Sequence, residues 1–363
     1  MKILYVTTIL GTMSFFKAEF EHLIKNKHVV HLACNCSVNE SFNVSKYDVE
    51  VFDIPFSRTP FSLDNLKACI QIRELVDKNK YDIIHCHTPN ASVITRFASR
   101  KSKKNGTKII YTVHGFHFYK GAPLKNWLLY YPAELICSYW TSTLITINRE
   151  DFEFAQKFIK AKNIKYVPGV GIDLNKFSIK KNSPVSKREE LSIPLNSIML
   201  LSIGELNDNK NHETVIKAIK DMDVYYVIAG IGQKSEYLLN LTKKYGIDNK
   251  VKLIGFRNDV PDLLQSADIF VFASFREGLS VSLMETMAAG KAVVASKIRG
   301  NVDLIDDKGG FLFNPKNVEE CRNAINQAII SDRNILGKYN QEKVKKFSIE
   351  SIIRMIDEIY EVL

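Results

Sequence analysis

The chain has 363 residues, a length that favours two domains, and its hydrophobic content of 45% is sufficient for a full core in each. Its net charge of +10 comes from one half, because residues 1–182 hold 26 Lys and Arg against 15 Asp and Glu, whereas residues 183–363 hold 24 against 25. A basic half is compatible with nucleic acid, an anionic membrane or a diphosphate-bearing substrate. The sequence has no zinc finger, RNA-recognition motif or basic zipper, so we expect no nucleic acid partner.

The cysteine pattern and the start of the chain indicate a cytoplasmic protein. Six cysteines lie mostly in apolar runs without zinc-binding spacing, which predicts reduced, buried thiols. The segment from Met1 to Leu10 is typical of a strand rather than a signal peptide. No apolar run approaches the roughly 20 residues needed to cross a bilayer.

The first half alternates predicted strands and helices. Apolar runs predict strands at 3–8, 29–33, 49–54, 83–87, 108–113 and 143–147, and helical spacing predicts helices at 14–25, 63–79, 91–101 and from about 150. This order is typical of a doubly wound parallel sheet, in which the loops at the carboxyl ends of the strands meet at one crevice.

Three of these loops carry candidate ligand-binding residues. Gly11 follows the first strand, where it either lets the backbone approach a ligand or simply makes a tight turn. His85 and His87 share one face of a strand end, but no third metal ligand is apparent, so packing or substrate contact is favoured over metal. His114 and His117 follow another strand, where a lone histidine is most often structural.

Aromatic and basic residues are mixed between Lys120 and Trp140. This mixture suits a membrane interface, where each side chain has an apolar body and a polar tip, but it equally suits an ordinary helix packed on the sheet. If the segment is a membrane interface, the lysines of residues 101–104 extend its lipid-facing patch. If it is an ordinary helix, they form a solvated turn. The polar, lysine-rich residues 178–191 resemble a linker. We therefore predict domains at 1–182 and 183–346, with a final helix at 347–363 that packs back on the first domain.

The second half begins another strand–helix series. Strands are predicted at 198–203 and 224–229, separated by the Gly-Glu-Leu-Asn-Asp-Asn-Lys loop at 204–210 and a helix at 212–220. Gly230-Ile231-Gly232 is a turn before a helix, but it lacks the third glycine and downstream acid of a dinucleotide-binding fingerprint.

The segment 269–290 contains the clearest functional motif. A buried strand at 269–273 leads through a turn into a short helix that Gly290 can cap. Backbone amides at the start of such a helix, together with its dipole, form a phosphate site. We therefore expect phosphate contacts at Gly278, Leu279, Ser280, Val281 and Ser282. Glu285 either faces a ligand or closes a capping box with Ser282.

Glu277 and Glu285 carry a family resemblance. The stretch Glu-Gly-Leu-Ser-Val-Ser-Leu-Met-Glu-Thr-Met-Ala-Ala-Gly at 277–290 resembles the signature of the family 4 retaining glycosyltransferases. The resemblance implies the GT-B fold, which is α/β with two doubly wound Rossmann-like domains facing a central cleft and a C-terminal helix crossing back to the N-terminal domain. It covers nearly the whole chain and is strongest from 196 to 315.

The same resemblance extends to the loop at 204–210. Members of the family usually have Gly-Arg-Leu here and a lysine five residues after the arginine, and both cations hold the donor diphosphate. Lys210 matches the lysine, whereas Glu205 stands in place of the arginine. Either Glu205 turns away or another cation compensates, with Arg257 and Arg276 as candidates. The Gly-Glu-Leu at 204–206 resembles the sequence that the exopolysaccharide and capsule branch of the family has at this position.

The resemblance implies further roles for three residues. His114 would lie beside the donor sugar, Glu277 would hold sugar hydroxyls and Glu285 the ribose hydroxyls. Gly11 and Arg257 complete the expected donor site, with Arg257 near the nucleobase. The candidate acceptor-side residues are His87, His117, Tyr119, Lys120 and Trp127.

The sequence thus predicts a retaining, metal-independent glycosyltransferase without a cofactor. It would move a sugar, an N-acetylated hexosamine in our expectation, from a UDP-sugar to a polyprenyl-diphosphate-linked glycan. Its predicted location is the cytoplasm, peripherally bound to the anionic inner face of the plasma membrane, with other polysaccharide-assembly enzymes as candidate partners. Two alternatives remain open: a UDP-sugar epimerase of the same fold, and a catalytically silent scaffold on a lipid surface.

Overall fold

The structure, a computed structural model, describes residues 1–37, 42–178 and 184–362. The chain forms two compact units. The N-terminal unit comprises Met1–Val170 with Ile352–Leu363, and the C-terminal unit comprises Gly171–Ser351.

The N-terminal unit contains a seven-stranded sheet in the order β3-β2-β1-β4-β5-β6-β7. Every neighbouring pair in this sheet is parallel. Its strands are β1 Lys2–Ile9, β2 Val29–Asn35, β3 Glu50–Asp53, β4 Ile83–Cys86, β5 Lys108–Val113, β6 Thr143–Thr146 and β7 Asn163–Tyr166. Its first five helices are α1 Lys17–Lys25, α2 Asp64–Asn79, α3 Pro89–Ala98, α4 Leu124–Ser138 and α5 Arg149–Phe158. A 3₁₀ turn, Leu10–Phe16, precedes α1.

The C-terminal unit contains a six-stranded parallel sheet in the order β10-β9-β8-β11-β12-β13. Its helices before the first strand are α6 Leu174–Ser178 and α7 Pro184–Glu190. Its strands are β8 Ile198–Ile203, β9 Val224–Ala229, β10 Val251–Leu253, β11 Ile269–Phe272, β12 Ala292–Ser296 and β13 Gly310–Phe313. Its other helices are α8 His212–Ile219, α9 Ser235–Lys244, α10 Val260–Ser266, α11 Val281–Ala288, α12 Asn301–Leu304, α13 Val318–Ile330 and α14 Arg333–Val344. The final helix, α15 Ile349–Glu361, begins in this unit and belongs to the N-terminal unit from Ile352 onward.

Alternation along β1 divides the N-terminal core between the two faces of its sheet, because successive side chains of a strand point to opposite sides. Leu4 and Val6 pack with residues of α2, α3 and α5, whereas Ile3 and Tyr5 pack with α1 and α15. Helix α15 contributes Ile352, Ile356, Ile359 and Tyr360 to this second core. The C-terminal helix therefore packs on the N-terminal unit.

The predicted domain boundary differs from the observed one. The units divide after Val170, whereas the expected division at 182/183 lies outside the described residues. Within the expected linker the structure places helix α7, where Lys187 forms ion pairs with Glu190 and Asp259. Arg188 forms another with Asp268 at 2.7 Å. The polar composition of this segment reflects paired charges within the C-terminal unit, and reading 184–190 as linker was wrong.

The glycines at Gly230 and Gly232 serve backbone packing. A Cβ atom at Gly230 would lie 1.8 Å from the Gly204 carbonyl oxygen, and one at Gly232 would lie 2.4 Å from that of Leu206. The amide of Leu206 also donates to Ile231. These small residues thus let the loops after β8 and β9 lie side by side.

Candidate active site

The start of α11 has the geometry of an anion site. Ser280 is the N-cap, and its side chain accepts a hydrogen bond from the Leu283 amide at 3.3 Å. The amides of Val281 and Ser282, at the first two helical positions, have no intrahelical acceptor. Gly290, with φ of 69°, follows the helix as predicted. The expected group of backbone donors is therefore present at the carboxyl end of β11.

Glu285 does not close a capping box. Because Ser280 rather than Ser282 is the N-cap, Glu285 lies in the second turn of α11 instead of at its third position. Burial raises the pKa of the Glu285 carboxyl to about 7, and the Lys176 ammonium offsets a part of that rise. Among the described residues no side chain or amide donates a hydrogen bond to this carboxylate. Of the two interpretations of Glu285, the structural one is thus wrong.

Lys210 and Glu277 form the central ion pair of the site. Nζ of Lys210 lies 2.7 Å from Oε1 of Glu277, and the side chains are 21% and 16% exposed. The same ammonium lies 4.8 Å from the centroid of the Phe272 ring. Gly204 leaves room for the lysine, because a Cβ atom there would come within 3.2 Å of Lys210 Cε. The structure therefore brings together two residues that the sequence separates by 67 positions.

Three residues that sequence reasoning missed hold this pair in place. Asn207 accepts a hydrogen bond from the Lys210 amide at 3.0 Å, and Asn209 donates to the Arg276 carbonyl at 3.0 Å. The buried Arg299 donates through Nε to the Glu277 carbonyl at 3.4 Å. Arg299 follows β12, the neighbour of β11, so the parallel order of the strands was the signal that could have identified it.

The candidates for compensating Glu205 are arranged differently from expectation. The Glu205 side chain is exposed, as is that of Arg276. The guanidinium of Arg257 is bound to Asp259 at 2.6 and 2.7 Å and to Glu190 at 2.7 Å. Arg299 is thus the cation in contact with the Glu277 backbone. Because the guanidinium of Arg257 is already paired, its role in donor binding remains a prediction for the Arg257 backbone.

Three histidines of the N-terminal unit lie together, His85 and His87 buried and His114 partly buried. Nδ1 of His87 lies 3.3 Å from Nε2 of His114, and the rings of His85 and His87 pack with centroids 4.1 Å apart. His85 uses both ring nitrogens, towards the Tyr360 hydroxyl at 2.7 Å and the Thr112 hydroxyl at 2.8 Å. Burial lowers the pKa of His85 to about 3 and that of His114 to about 4. His85 and His87 thus pack against each other in the N-terminal unit, and His87 also contacts the His114 ring.

Metal ligands do not converge anywhere in the described ranges. No group of three or more His, Cys, Asp or Glu side chains there is arranged to hold a metal ion. The six cysteines, all within those ranges, are free thiols.

The expected acceptor residues are dispersed. His117 packs against Tyr130 with ring centroids 4.7 Å apart, and both line a pocket of about 270 Å³ with Thr8, Thr88 and Asn90. Trp127 instead packs in an aromatic cluster with Phe118, Tyr131 and Phe154. Lys120 is exposed, Tyr119 is partly buried, and His87 is 2% exposed beneath the surface. Gly11 lies in the 3₁₀ turn after β1, where its carbonyl accepts from the Ser14 hydroxyl.

Comparison with known proteins identifies the family. Residues 186–344 match the family model described as Glycosyl transferases group 1, and residues 2–148 match that described as Glycosyl transferase 4-like. EpsD of Bacillus subtilis (strain 168), whose name describes it as a glycosyltransferase, is 38% identical over 300 residues, which are 78% of this chain and 75% of EpsD. The chain belongs to the family 4 glycosyltransferases.

Two further relatives of this family 4 glycosyltransferase extend the comparison. An Escherichia coli enzyme named UDP-Gal:alpha-D-GlcNAc-diphosphoundecaprenol alpha-1,3-galactosyltransferase is 28% identical over 360 residues, 94% of this chain and 91% of that protein. The crystal structure of HepE from Anabaena in complex with UDP-glucose superposes with a TM-score of 0.82 at 21% identity, with full coverage of both chains. The likeness to HepE shows the fold, and the expected GT-B class is confirmed.

Proposed function

We propose that this glycosyltransferase moves a sugar, with retention of anomeric configuration, from a UDP-sugar to a glycan linked to polyprenyl diphosphate in exopolysaccharide or capsule assembly. The observation that carries the proposal is the Lys210–Glu277 ion pair, whose members follow the adjacent strands β8 and β11. The names of the Escherichia coli relative and of a Campylobacter jejuni relative, an N-acetylgalactosaminyltransferase, both include undecaprenol-linked diphosphate substrates.

The chemistry follows from charge. When the bond between the anomeric carbon and the diphosphate oxygen breaks, negative charge develops on the departing UDP. The amides of Val281 and Ser282 and the ammonium of Lys210 stabilise that charge as it grows. The acceptor hydroxyl attacks the same face of the sugar, and its proton passes to the departing phosphate oxygen. This route requires no metal, so EDTA should leave transfer unchanged.

Glu277 has two functions in this scheme. Its Oε1 fixes the position of the Lys210 ammonium. Its Oε2, hydrogen-bonded to none of the described residues, is available to accept from a sugar hydroxyl. Glu285, with its raised pKa, accepts from the ribose hydroxyls once it is ionised. His114 lies beside the donor sugar in this scheme. The pocket lined by His117 receives the acceptor.

A donor and acceptor screen tests the proposal. UDP-galactose, UDP-glucose and the two UDP-N-acetylhexosamines are each incubated with a short polyprenyl-diphosphate-linked glycan, and UDP release and product are measured. We expect one donor to give acceptor-dependent product. If the donor is epimerised in the absence of acceptor, the protein is a UDP-sugar epimerase instead. If no donor and acceptor pair releases UDP, the catalytically silent scaffold is favoured.

We also propose that the N-terminal unit binds the anionic cytoplasmic surface of the membrane through α2 and α4, so that the enzyme is a peripheral membrane protein. Helix α3 lies between these two helices and contacts both. Leu124 and Leu128, one turn apart on α4, are 72% and 71% exposed, and Leu66 and Ile70 on α2 are also exposed. Lys120 and Lys125 are exposed close to Leu124 in the chain, and Lys101 and Lys104 are exposed in the segment Ser99–Asn105 that follows α3. Apolar side chains flanked by lysines are typical of interfacial binding.

No helix in the described part of the chain is long and apolar enough to cross a membrane.

Vesicle flotation tests the membrane surface. The double variant Leu124→Asp/Leu128→Asp should reduce binding to phosphatidylglycerol vesicles, and neither protein should bind neutral phosphatidylcholine vesicles. Ile330→Asp is the matched control, because Ile330 is an exposed apolar residue of the C-terminal unit. Equal flotation of the double variant and the wild type would contradict this surface.

A further inference from the structure

His87 and His114 of the N-terminal unit are joined by a hydrogen bond between their rings. His87 is 2% exposed, and its ring packs against Phe16 at a centroid distance of 4.0 Å and against His85 at 4.1 Å. Its Nδ1 faces Nε2 of His114 at 3.3 Å. Its Nε2 is buried and has no hydrogen-bond partner among the described residues.

These contacts determine which nitrogen of each ring carries the proton. Burial lowers the pKa of His87 well below its usual value, so both rings are neutral at physiological pH and each carries one N–H. If the proton of His87 were on Nε2, a buried N–H would be left without an acceptor, which is rarer and costlier than an unused lone pair. The proton is therefore on Nδ1, and His87 donates to Nε2 of His114. His114 in turn carries its own proton on Nδ1.

We infer that His87 is a positioning residue, which holds His114 in the tautomer whose Nδ1–H is a hydrogen-bond donor to the transferred sugar. Nδ1 of His114 is hydrogen-bonded to none of the described residues, and the side chain is partly exposed. A neutral N–H donor suits a sugar hydroxyl or ring oxygen, and a hydrogen bond to the other ring nitrogen is what fixes a histidine tautomer. This inference rests on the proposed function for the role of His114, but the tautomer itself can be measured without substrate.

The test uses two substitutions at position 87. His87→Asn keeps a donor near the position of Nδ1, whereas His87→Phe fills the same aromatic environment without one. We expect His87→Phe to lower kcat by about 10-fold to 100-fold with little change in KM for the donor, and His87→Asn to recover most of the loss. Thermal unfolding of each variant shows whether it is folded.

The ¹⁵N shifts of the histidine rings give a readout that a purely structural role would not change. With ¹⁵N-histidine labelling, His114 is assigned by comparison with His114→Gln. The wild type and His87→Asn should show His114 protonated at Nδ1, and His87→Phe should shift it towards protonation at Nε2. Protonation at Nε2 in the wild type, or an unchanged tautomer and kcat in His87→Phe, would overturn the inference. Absence of transfer by the wild type with every donor would instead contradict the proposed function and leave the tautomer test intact.

Discussion

The Lys210 ammonium and the Glu277 carboxylate are 2.7 Å apart, although the two residues lie on loops that follow different strands. Strands β8 and β11 are neighbours in the sheet, so their carboxyl ends place both loops at one edge. Asn209 joins the loops further, because its amide group donates to Arg276 and its carbonyl accepts from the Phe275 amide. The pair is therefore a product of sheet topology.

Lys210→Ala should abolish most transfer without unfolding the protein. Since we propose that Lys210 stabilises the leaving diphosphate, removal of its ammonium should lower kcat by about 100-fold or more. Lys217→Ala is a matched control, because Lys217 forms an ion pair with Glu213 on α8 in the same unit. We expect wild-type kcat in the control. Initial rates of UDP release with acceptor present measure both, and a fully active Lys210→Ala protein would remove the lysine from the mechanism.

Glu285→Gln should make stability less dependent on pH. The folded pKa of about 7 exceeds the value of 4.5 expected in the unfolded chain, so the native state holds the extra proton between these values. The free energy of unfolding therefore falls as pH rises through this window, by at most about 3 kcal/mol for this group. Glutamine does not titrate and so removes this pH-dependent contribution. The difference in Tm, variant minus wild type, should therefore be larger at pH 8.5 than at pH 5.

The same residue should make UDP affinity depend on pH. A carboxylate accepts the ribose hydroxyls better than a carboxylic acid, so wild-type affinity should rise between pH 6 and pH 8 and binding should release a proton. Calorimetry in buffers of different ionisation enthalpy measures that release. Equal proton release by the wild type and Glu285→Gln would assign the effect to another group.

The buried ion pair of the N-terminal unit is a second stability test. Arg96 is fully buried, 2.8 Å from Glu134 of α4 and 4.2 Å from the Tyr111 ring centroid. Arg96→Met leaves the Glu134 charge uncompensated and should cost about 3–5 kcal/mol in the free energy of unfolding. Arg96→Met/Glu134→Leu should recover most of that loss. Denaturant unfolding measures each value, and a double variant no more stable than the single one would show that packing by Arg96 dominates.

Gly300→Ala should destabilise the C-terminal unit and weaken UDP binding. Its φ is 78°, and a Cβ atom would lie 2.1 Å from the carbonyl oxygen of Gly278, two residues before the N-cap of α11. We expect a loss of about 3 kcal/mol or more. Gly246→Ala separates backbone strain from the steric contact. At Gly246 φ is 66° and the space around the Cβ position is open, so only backbone strain of about 1 kcal/mol is expected. Similar losses in both variants would exclude the close contact as the cause.

Much of the fold could be predicted because its determinants are local. Parallel strands buried on both faces are continuous apolar runs, and β8 and β9 were predicted with their observed bounds. The final helix, predicted within 347–363, is observed at Ile349–Glu361, since its apolar positions recur at helical spacing. Strand β7 was not predicted, because Asn163–Tyr166 is short and only partly buried. Helix α7 was taken for linker, because local composition does not show that Lys187 and Arg188 meet distant acids.

The sequence by itself determined the family, the alternation of strands and helices, and the loop and helix that present backbone amides and Glu277. Only the tertiary structure decided that Ser280 caps α11, that Arg299 lies against the Glu277 backbone, and that His87 pairs with His114. The reason is physical: periodicity and capping residues act over a few neighbouring positions. The partner of a buried charge or a ring nitrogen depends on which strands lie side by side, and so on contacts between residues far apart in the chain.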